Sequence, residues 1–293
     1  MNQPTLPPLE GLATWLKERE APLVVRPGCE KCILWPTGGP QRAPLALVYF
    51  HGYSGTRRDI SPTVETLAQN LQAPVFFTRL AGHGLLHDPH RGVKLFDWKQ
   101  DLEEALAIGH ALGEKVIVIG TSAGATLALW SALEGLGVDA LILTSPLIVA
   151  RQSGAFLLEV PLLKHLVKAI LGPWMSFPPQ NPLQAEIWDC RHRTDSLIPL
   201  LALARKVRQT SPRHLQTPVL SFISPQDKVA SARAALRYLN QLPADYLKVV
   251  ELLPSHDQDY HVLTGEALSP DTTSLWLNTA LNFLRQRNLV PAR

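Results

Sequence analysis

Cysteine is scarce in this chain of 293 residues, and charged side chains are also few. Its three cysteines, an odd number, do not make a disulfide framework. Cys29 and Cys32 form a lone C-x-x-C pair, without the second pair that a structural zinc site would need. Charged residues make up 18% of the chain and the net charge is only +3. Since lysine and arginine are scattered, we expect no nucleic-acid partner.

Long apolar runs are absent as well. No stretch reaches the roughly 18 uncharged apolar residues that a membrane-spanning helix needs. The first twelve residues carry prolines at positions 4, 7 and 8 and lack the basic start and apolar core of a secretory signal. We therefore expect a soluble, cytoplasmic protein. Apolar residues nevertheless reach 46%, which is ample for a buried core.

Short β-rich runs alternate along the chain with longer helical patterns. Several of the short runs are apolar throughout, which is typical of parallel strands covered on both faces. The pattern predicts a doubly wound α/β fold, with room for an antiparallel start. The predicted strands are 23–25, 32–35, 45–50, 75–77, 116–119, 140–143, 219–223 and 247–252, and the predicted helices are 62–72, 97–113, 124–135, 230–241 and 271–288.

The alternation stops in the segment 146–217, which is rich in leucine, proline and tryptophan. Helical periodicity recurs there at 156–171 and 197–207. An insertion at this point follows a strand of the sheet and would cover the carboxyl ends of the strands, where α/β sheets bind ligands. The sequence thus predicts a core domain formed by 1–145 and 218–293, and a helical cap at 146–217.

Gly120-Thr121-Ser122-Ala123-Gly124 stands between an apolar β-branched run and a helix-compatible run. A serine on a tight strand-to-helix turn exposes its hydroxyl, and flanking glycines leave room for the backbone. Ser122 is therefore a candidate nucleophile. The N–H of Ala123 is a candidate donor to an oxyanion, and the loop after strand 45–50 offers the N–H of Tyr53 as a second donor.

A nucleophilic serine needs a base, and the base needs an orienting carboxylate. In sheets of this type the three residues arrive in the order Ser, Asp or Glu, His. Asp227 lies in the loop just after the predicted strand 219–223. Two histidines, His256 and His261, follow the next strand, and loop length leaves both open. Asp257 and Asp259 beside them are candidates to hold a histidine tautomer, or are simply solvated.

Three further histidines, His83, His87 and His90, follow the predicted strand 75–77. Imidazoles bind zinc, but the glycines around His83 and the absence of a matching Cys, Asp or Glu set favour a structural loop. We therefore expect no metal site.

The ordered motifs resemble those of the serine esterase and lipase branch of the α/β-hydrolases, which includes monoacylglycerol lipases, lysophospholipases and bacterial carboxylesterases. The resemblance covers most of the chain. The matching motifs are His51-Gly52, Gly82-His83-Gly84, Asp97-Trp98 with Asp101, Gly120 to Gly124, Thr144-Ser145-Pro146-Leu147, Asp227-Lys228-Val229 and Tyr260-His261-Val262-Leu263.

The resemblance implies an α/β-hydrolase fold in which Ser122 is the nucleophile, Asp227 the orienting acid and His261, rather than His256, the base. Tyr53 and Ala123 become the oxyanion-hole donors, and neither a metal nor an organic cofactor is required. One departure concerns the elbow, where family members usually carry Gly-His-Ser-Met-Gly-Gly. The turn glycines and the nucleophile are kept, so the departure bears on the substrate.

The expected activity is hydrolysis of carboxylic esters, and the expected partner is a small-molecule ester or a lipid-like substrate. The same triad would serve a thioesterase or an amide hydrolase, whereas a non-catalytic binding module would usually have lost one of its members. Apolar cap residues suggest an apolar acyl group, and charges at Glu159, Lys164 and Lys168 are compatible with transient contact with a lipid surface. These apolar residues are Phe156, Leu157, Leu158, Leu162, Leu163, Leu166, Ile170, Trp174 and Phe177.

Overall fold

Strands and helices alternate through a computed structural model that describes residues 5–36, 38–151, 172–254 and 256–290. The strands are β1 (Cys32–Leu34), β2 (Ala43–Phe50), β3 (Val75–Phe77), β4 (Gly113–Thr121), β5 (Ala140–Thr144), β6 (Trp174–Ser176), β7 (Arg191–Arg193), β8 (Val219–Ile223) and β9 (Leu247–Glu251). The α-helices are α1 (Leu12–Glu20), α2 (Thr63–Leu71), α3 (Leu95–Leu112), α4 (Ala123–Leu133), α5 (Pro182–Ile187), α6 (Leu197–Gln209), α7 (Ala232–Leu239) and α8 (Thr273–Gln286).

Seven of these strands form one sheet in the order β1-β3-β2-β4-β5-β8-β9. The edge strand β1 pairs with β3 in antiparallel fashion, and every other pairing in the sheet is parallel. The carboxyl ends of β2, β4, β5, β8 and β9 therefore meet at one edge of the sheet. This arrangement confirms the predicted α/β fold.

Helices cover both faces of the sheet, because side chains of the central strands point alternately to the two sides. Along β2, Ala46, Val48 and Phe50 enter the core on one face, whereas Leu45, Leu47 and Tyr49 enter the core on the other. Helices α1, α3, α4, α6 and α7 supply the first core, and α2 and α8 supply the second. Trp98 and Trp276 are the largest fully buried side chains of these two layers.

Polar residues at the helix starts satisfy backbone N–H groups that have no partner within a helix. The side chain of Asn181 accepts a hydrogen bond from the N–H of Gln184 at the start of α5, across 2.8 Å. The hydroxyl of Ser231 accepts from the N–H of Ala234 at the start of α7. These caps fix where α5 and α7 begin.

The strand predicted at 23–25 is wrong. Val25 makes a single bridge to Leu85, and Leu23 and Val24 are 42% and 55% exposed. Apolar residues form a strand only where a neighbouring edge offers continuous pairing, and none is in register here.

Two helices and two strands were not predicted, namely α1, α5 and the antiparallel pair of β6 and β7. The helical pattern predicted at 156–171 falls outside the described residues. Within the described ranges, no helix combines the length and apolar character needed to cross a bilayer.

Candidate active site

Ser122 occupies the turn between β4 and α4, at the carboxyl edge of the sheet. Its φ of 53° and ψ of −114° are in a region that residues other than glycine rarely adopt. The backbone is held there because its N–H donates to the carbonyl of Thr144 across 2.8 Å and its carbonyl accepts from the N–H of Thr126. Strain of this kind is typical of functional turns.

The glycines on either side of Ser122 are required by close backbone contacts. A methyl group on Gly124 would lie 2.1 Å from the carbonyl oxygen of Phe50 in β2, and one on Gly120 would lie 2.4 Å from the carbonyl oxygen of Gly124. The start of α4 therefore packs directly against the end of β2. This contact places Ser122 beside the loop that follows β2.

Asp227 and His261 lie together at the carboxyl ends of β8 and β9. The Nδ1–H of His261 donates to Oδ2 of Asp227 across 2.7 Å, and both side chains are buried. The other oxygen, Oδ1, accepts from the backbone N–H groups of Val229 and Ala230, each at 2.8 Å. Because Nδ1 carries the proton, Nε2 of His261 is free to accept one.

Charge, hydrogen bonding and burial act in opposite directions on His261. Burial disfavours the imidazolium, but the charge of Asp227, its hydrogen bond and the charges of Asp257 and Asp259 together outweigh burial and raise the pKa of His261 above its ordinary value. A base whose pKa lies above 6.5 is well matched to proton transfer near neutral pH.

The loop that carries His261 is organised by Asp257. One carboxylate oxygen of Asp257 accepts from the N–H groups of His261 and Val262, both at 2.7 Å. The hydroxyl of Ser145 donates to the carbonyl of His261 across 2.6 Å. Asp257 thus holds the backbone of His261, whereas Asp227 holds its ring.

His256 occupies a different environment from His261. It is exposed, and its Nε2 lies 3.9 Å from a carboxylate oxygen of Asp271. Asp259 is exposed as well. Of the two histidines left open by loop length, only His261 contacts Asp227.

Two backbone N–H groups lie next to Ser122 without an acceptor in the described part of the chain. One belongs to Ala123, the first residue of α4, and the other to Tyr53 in the loop after β2. A methyl group on Gly52, the residue before Tyr53, would lie 3.5 Å from Cβ of Ser122. Free N–H groups at a helix start beside a nucleophile are suited to bind an oxyanion.

The hydroxyl of Ser122 makes no hydrogen bond with any described residue. In ligand-free enzymes, catalytic hydrogen bonds are often long and shorten only with substrate bound. The structure therefore presents a serine hydroxyl without a described partner and, at the same edge of the sheet, an oriented Asp227–His261 pair.

The side chain of His51 supports the loop that follows β2. Its Nε2 accepts from the N–H of Leu80 across 3.0 Å, so Nδ1 carries the proton and donates to the carbonyl of Gly52 across 2.9 Å. Burial lowers the pKa of His51 to about 4, which keeps the ring neutral. The His51-Gly52 motif thus has a structural function in shaping the loop.

The three histidines that follow β3 differ in burial. His83 and His90 are buried with ring centroids 4.1 Å apart, and His87 is exposed. His90 also contacts Asp189, with Nε2 3.1 Å from a carboxylate oxygen. Among the residues described, no group of three or more His, Cys, Asp or Glu side chains is arranged to hold a metal ion.

Three carboxylates near the site, Asp59, Asp189 and Asp257, make contacts that the sequence did not predict. Asp257 was considered only as a partner of a histidine ring. Asp59 and Asp189 act on residues of the loop after β2 from distant or unpatterned positions, and no local motif marks them. All three are buried, which becomes visible only in the folded chain.

A mostly parallel sheet with a strand–serine–helix turn at its carboxyl edge defines the α/β-hydrolase class. The model of the Alpha/beta hydrolase family matches residues 47–268, and the chain belongs to this family. This confirms the family predicted from the ordered motifs.

Relatives with lipase names are found by sequence and by structure. The thermostable monoacylglycerol lipase of Bacillus sp. (strain H-257) is 24% identical over 231 residues, covering 76% of this chain and 85% of that protein. A solved structure from work on the two metagenome-derived lipolytic enzymes LipS and LipT superposes with a TM-score of 0.71 at 16% identity, covering 89% of this chain and 99% of that one. The monoacylglycerol lipase of Paleococcus ferrophilus superposes with a TM-score of 0.64 at 13% identity, covering 88% of this chain and 98% of that one.

Proposed function

We propose that the protein is a serine esterase that cleaves carboxylic esters through a covalent acyl-enzyme. The observation that carries this proposal is the hydrogen bond between His261 and Asp227, because it leaves Nε2 of the ring ready to accept a proton. Ser122, on its strained turn, is the group that supplies that proton.

In the proposed mechanism, Nε2 of His261 takes the hydroxyl proton of Ser122 as its oxygen attacks the ester carbonyl. The N–H groups of Tyr53 and Ala123 stabilise the negative charge on the tetrahedral intermediate, and loss of one such donor costs on the order of 10²–10³ in rate. The imidazolium, stabilised by Asp227, then protonates the leaving alcohol. Water repeats the cycle and releases the acid from Ser122.

For the substrate we propose an ester with an apolar acyl group. The lipase names of the relatives support this class. We assign the residues 146–217 as a cap over a core formed by 1–145 and 218–293. Most of the apolar residues on which the acyl preference depends lie in 156–170, outside the described residues. Of the remaining two, Phe177 packs against the core and Trp174 lies under the guanidinium groups of Arg191 and Arg193.

The test is turnover of p-nitrophenyl esters with acyl chains from C2 to C16, measured for the wild type, Ser122→Ala and His261→Ala. Both variants should lose turnover by about 10⁴-fold or more while unfolding at the wild-type temperature. The chain length with the highest kcat/KM would report the size of the acyl pocket. Ester turnover that persists in Ser122→Ala would refute the mechanism, and a preference for matched thioesters or anilides would change the substrate class.

We further propose that the cap makes transient contact with a lipid surface. The pattern of apolar residues interrupted by charge, described above for the cap sequence, supports this contact. Sedimentation with vesicles of phosphatidylcholine or phosphatidylglycerol tests it. Failure of both kinds of vesicle to pellet the protein would remove the proposal.

A further inference from the structure

Asp59 is a buried carboxylate that the proposed mechanism does not use. It follows the loop that carries Tyr53, and only 2% of its surface is exposed. Its Oδ2 accepts from the N–H of Gly52 across 2.8 Å, and its Oδ1 accepts from the hydroxyl of Tyr49. Both oxygens of the side chain are therefore engaged within the protein.

The contact with Tyr49 extends from Asp59 to the nucleophile. The hydroxyl of Tyr49 also lies 3.1 Å from Oγ1 of Thr121, the residue that precedes Ser122. Asp59 is thus connected to both sides of the site, directly through Gly52 and by way of Tyr49 through Thr121.

The loop after β2 is folded closely around this carboxylate. A methyl group on Gly55 would lie 2.8 Å from Oδ2 of Asp59, so only glycine fits at this position without a shift. The N–H of Gly55 donates in turn to the carbonyl of Gly52. The hydrogen bonds that the carboxylate of Asp59 and the carbonyl of Gly52 accept therefore set the path of the chain through Tyr53.

We propose that Asp59 is a positioning residue for the oxyanion site. Its carboxylate fixes the peptide of Gly52 directly. Through Tyr49 and Thr121 it also fixes the distance between the Tyr53 N–H and Ser122. This inference rests on the proposed function, since it concerns the same site. It adds a residue that does not touch the substrate and acts through the backbone of the loop.

The protonation state of Asp59 should control how firmly the loop is held. Burial raises the pKa of Asp59 to about 7, against the effect of hydrogen bonds from Tyr49, Gly52 and Ile60. Two titratable groups face Asp59 in the described structure, Tyr49 on β2 and Glu65 on α2. The negative charge of Glu65 raises the pKa of Asp59 further. Burial also raises the pKa of Tyr49 well above its usual range, so this hydroxyl remains a donor.

Protonation changes the hydrogen bonds without breaking the network. A protonated Asp59 donates to Tyr49, whose own proton turns to Thr121. The bond from the N–H of Gly52 then loses the strengthening that an ionised acceptor provides, which is roughly a factor of two in strength. Catalysis should accordingly gain from ionisation of Asp59 as the pH rises.

Asp59→Asn tests the inference, because asparagine keeps an oxygen for the N–H of Gly52 but cannot ionise. We expect kcat/KM on a p-nitrophenyl ester to fall about tenfold at about pH 8.5, through kcat and with KM unchanged. At about pH 5.5 the two enzymes should differ by only about twofold, since both then hold the loop with a neutral group. Titration of His261 affects both enzymes alike and cancels in their ratio.

Tyr49→Phe is the second variant and gives an independent readout. Loss of the tyrosine hydroxyl removes a hydrogen bond that favours the ionised carboxylate, so the part of the acid limb that reports Asp59, in addition to the part set by His261, should move to higher pH. Thermal unfolding of each variant checks that the fold is intact, and this second variant keeps the inference testable if the asparagine variant does not fold.

If the wild type is active and the ratio of its kcat/KM to that of Asp59→Asn is the same at every pH, the positioning role is overturned and the esterase assignment stays in place. An unmoved pH profile in Tyr49→Phe would also overturn it. If the wild type shows no ester turnover that is lost in Ser122→Ala, both proposals are overturned together. The two failures are thereby distinguishable.

Discussion

The backbone N–H of Asp189 donates to the carbonyl of Ser54 across 2.7 Å. Ser54 is the residue after Tyr53, and Asp189 comes from the segment inserted between β5 and β8. The carboxylate of Asp189 accepts in addition from Arg26 at 2.9 Å and from the N–H of Gly84 at 3.0 Å. This part of the inserted segment is therefore fixed to the loop beside Ser122.

Removal of that carboxylate should destabilise the whole fold. Asp189→Ala leaves the partly buried Arg26 without its counter-ion, and loss of one partner of a buried pair costs about 3 kcal/mol. Glu186→Ala is the matched control, because Glu186 pairs with Arg58 at the surface with 59% of its side chain exposed. The control should cost less than about 1 kcal/mol in urea unfolding. Equal losses for the two variants would show that Asp189 does not anchor the segment.

The acid side of the pH profile of kcat/KM should lie above pH 6.5. As the proposed base, His261 accepts a proton only when neutral, and Asp227 raises its pKa, so activity should appear as the pH rises through that raised value. Asp227→Asn removes the charge that stabilises the imidazolium, and the midpoint should shift to lower pH. Where the turnover of this variant is too slow, NMR titration of the His261 ring gives the same quantity. A midpoint that does not move would exclude Asp227 as the partner that sets the pKa.

A methyl group at Gly124 should disrupt the elbow. Since its Cβ would lie 2.1 Å from a carbonyl oxygen of β2, Gly124→Ala forces α4 away from the sheet at a cost of about 3 kcal/mol. Gly11→Ala serves as the control, because its nearest neighbour, Pro7, is at the ordinary contact distance of 3.4 Å. Its effect should stay within about 0.5 kcal/mol. Chemical unfolding measures both, and a mild Gly124→Ala variant would contradict this close packing.

Tyr53 is proposed to act through its backbone, so its side chain should matter little to the rate. Its hydroxyl lies 2.5 Å from Oγ of Ser196. Tyr53→Phe should lower stability by about 1 kcal/mol and change kcat/KM by less than about threefold. Ser196→Ala removes the same contact together with the hydrogen bond from its hydroxyl to the carbonyl of Arg193, so it should cost more stability and change kcat/KM as little. A hundredfold loss of kcat/KM in a fully folded Tyr53→Phe would instead assign the hydroxyl a catalytic function.

Local features of the sequence were sufficient to predict most elements of the sheet. The central part of β4, 116–119, is apolar throughout because both faces are covered, and this produces a recognisable run between polar segments. Helix α1 was missed because its buried positions, Leu12, Leu16 and Glu20, include a charged residue and form a weak apolar pattern. β7 was missed because Arg191-His192-Arg193 contains no apolar residue at all.

The sequence by itself determined most strands of the large sheet, the turn at Ser122 and the position of Asp227 after its strand, since each depends on spacing and on backbone preferences of neighbouring residues. Loop length left His256 and His261 open, and the family resemblance favoured His261. Only the tertiary structure showed that His261 contacts Asp227, and that Asp59 and Asp189 hold the loop around Tyr53. Asp189 lies 135 positions after Ser54. Residues so far apart in the chain come into contact only because burial in the folded protein brings them together. A carboxylate removed from water must find donors wherever packing places them, and no local pattern encodes that choice.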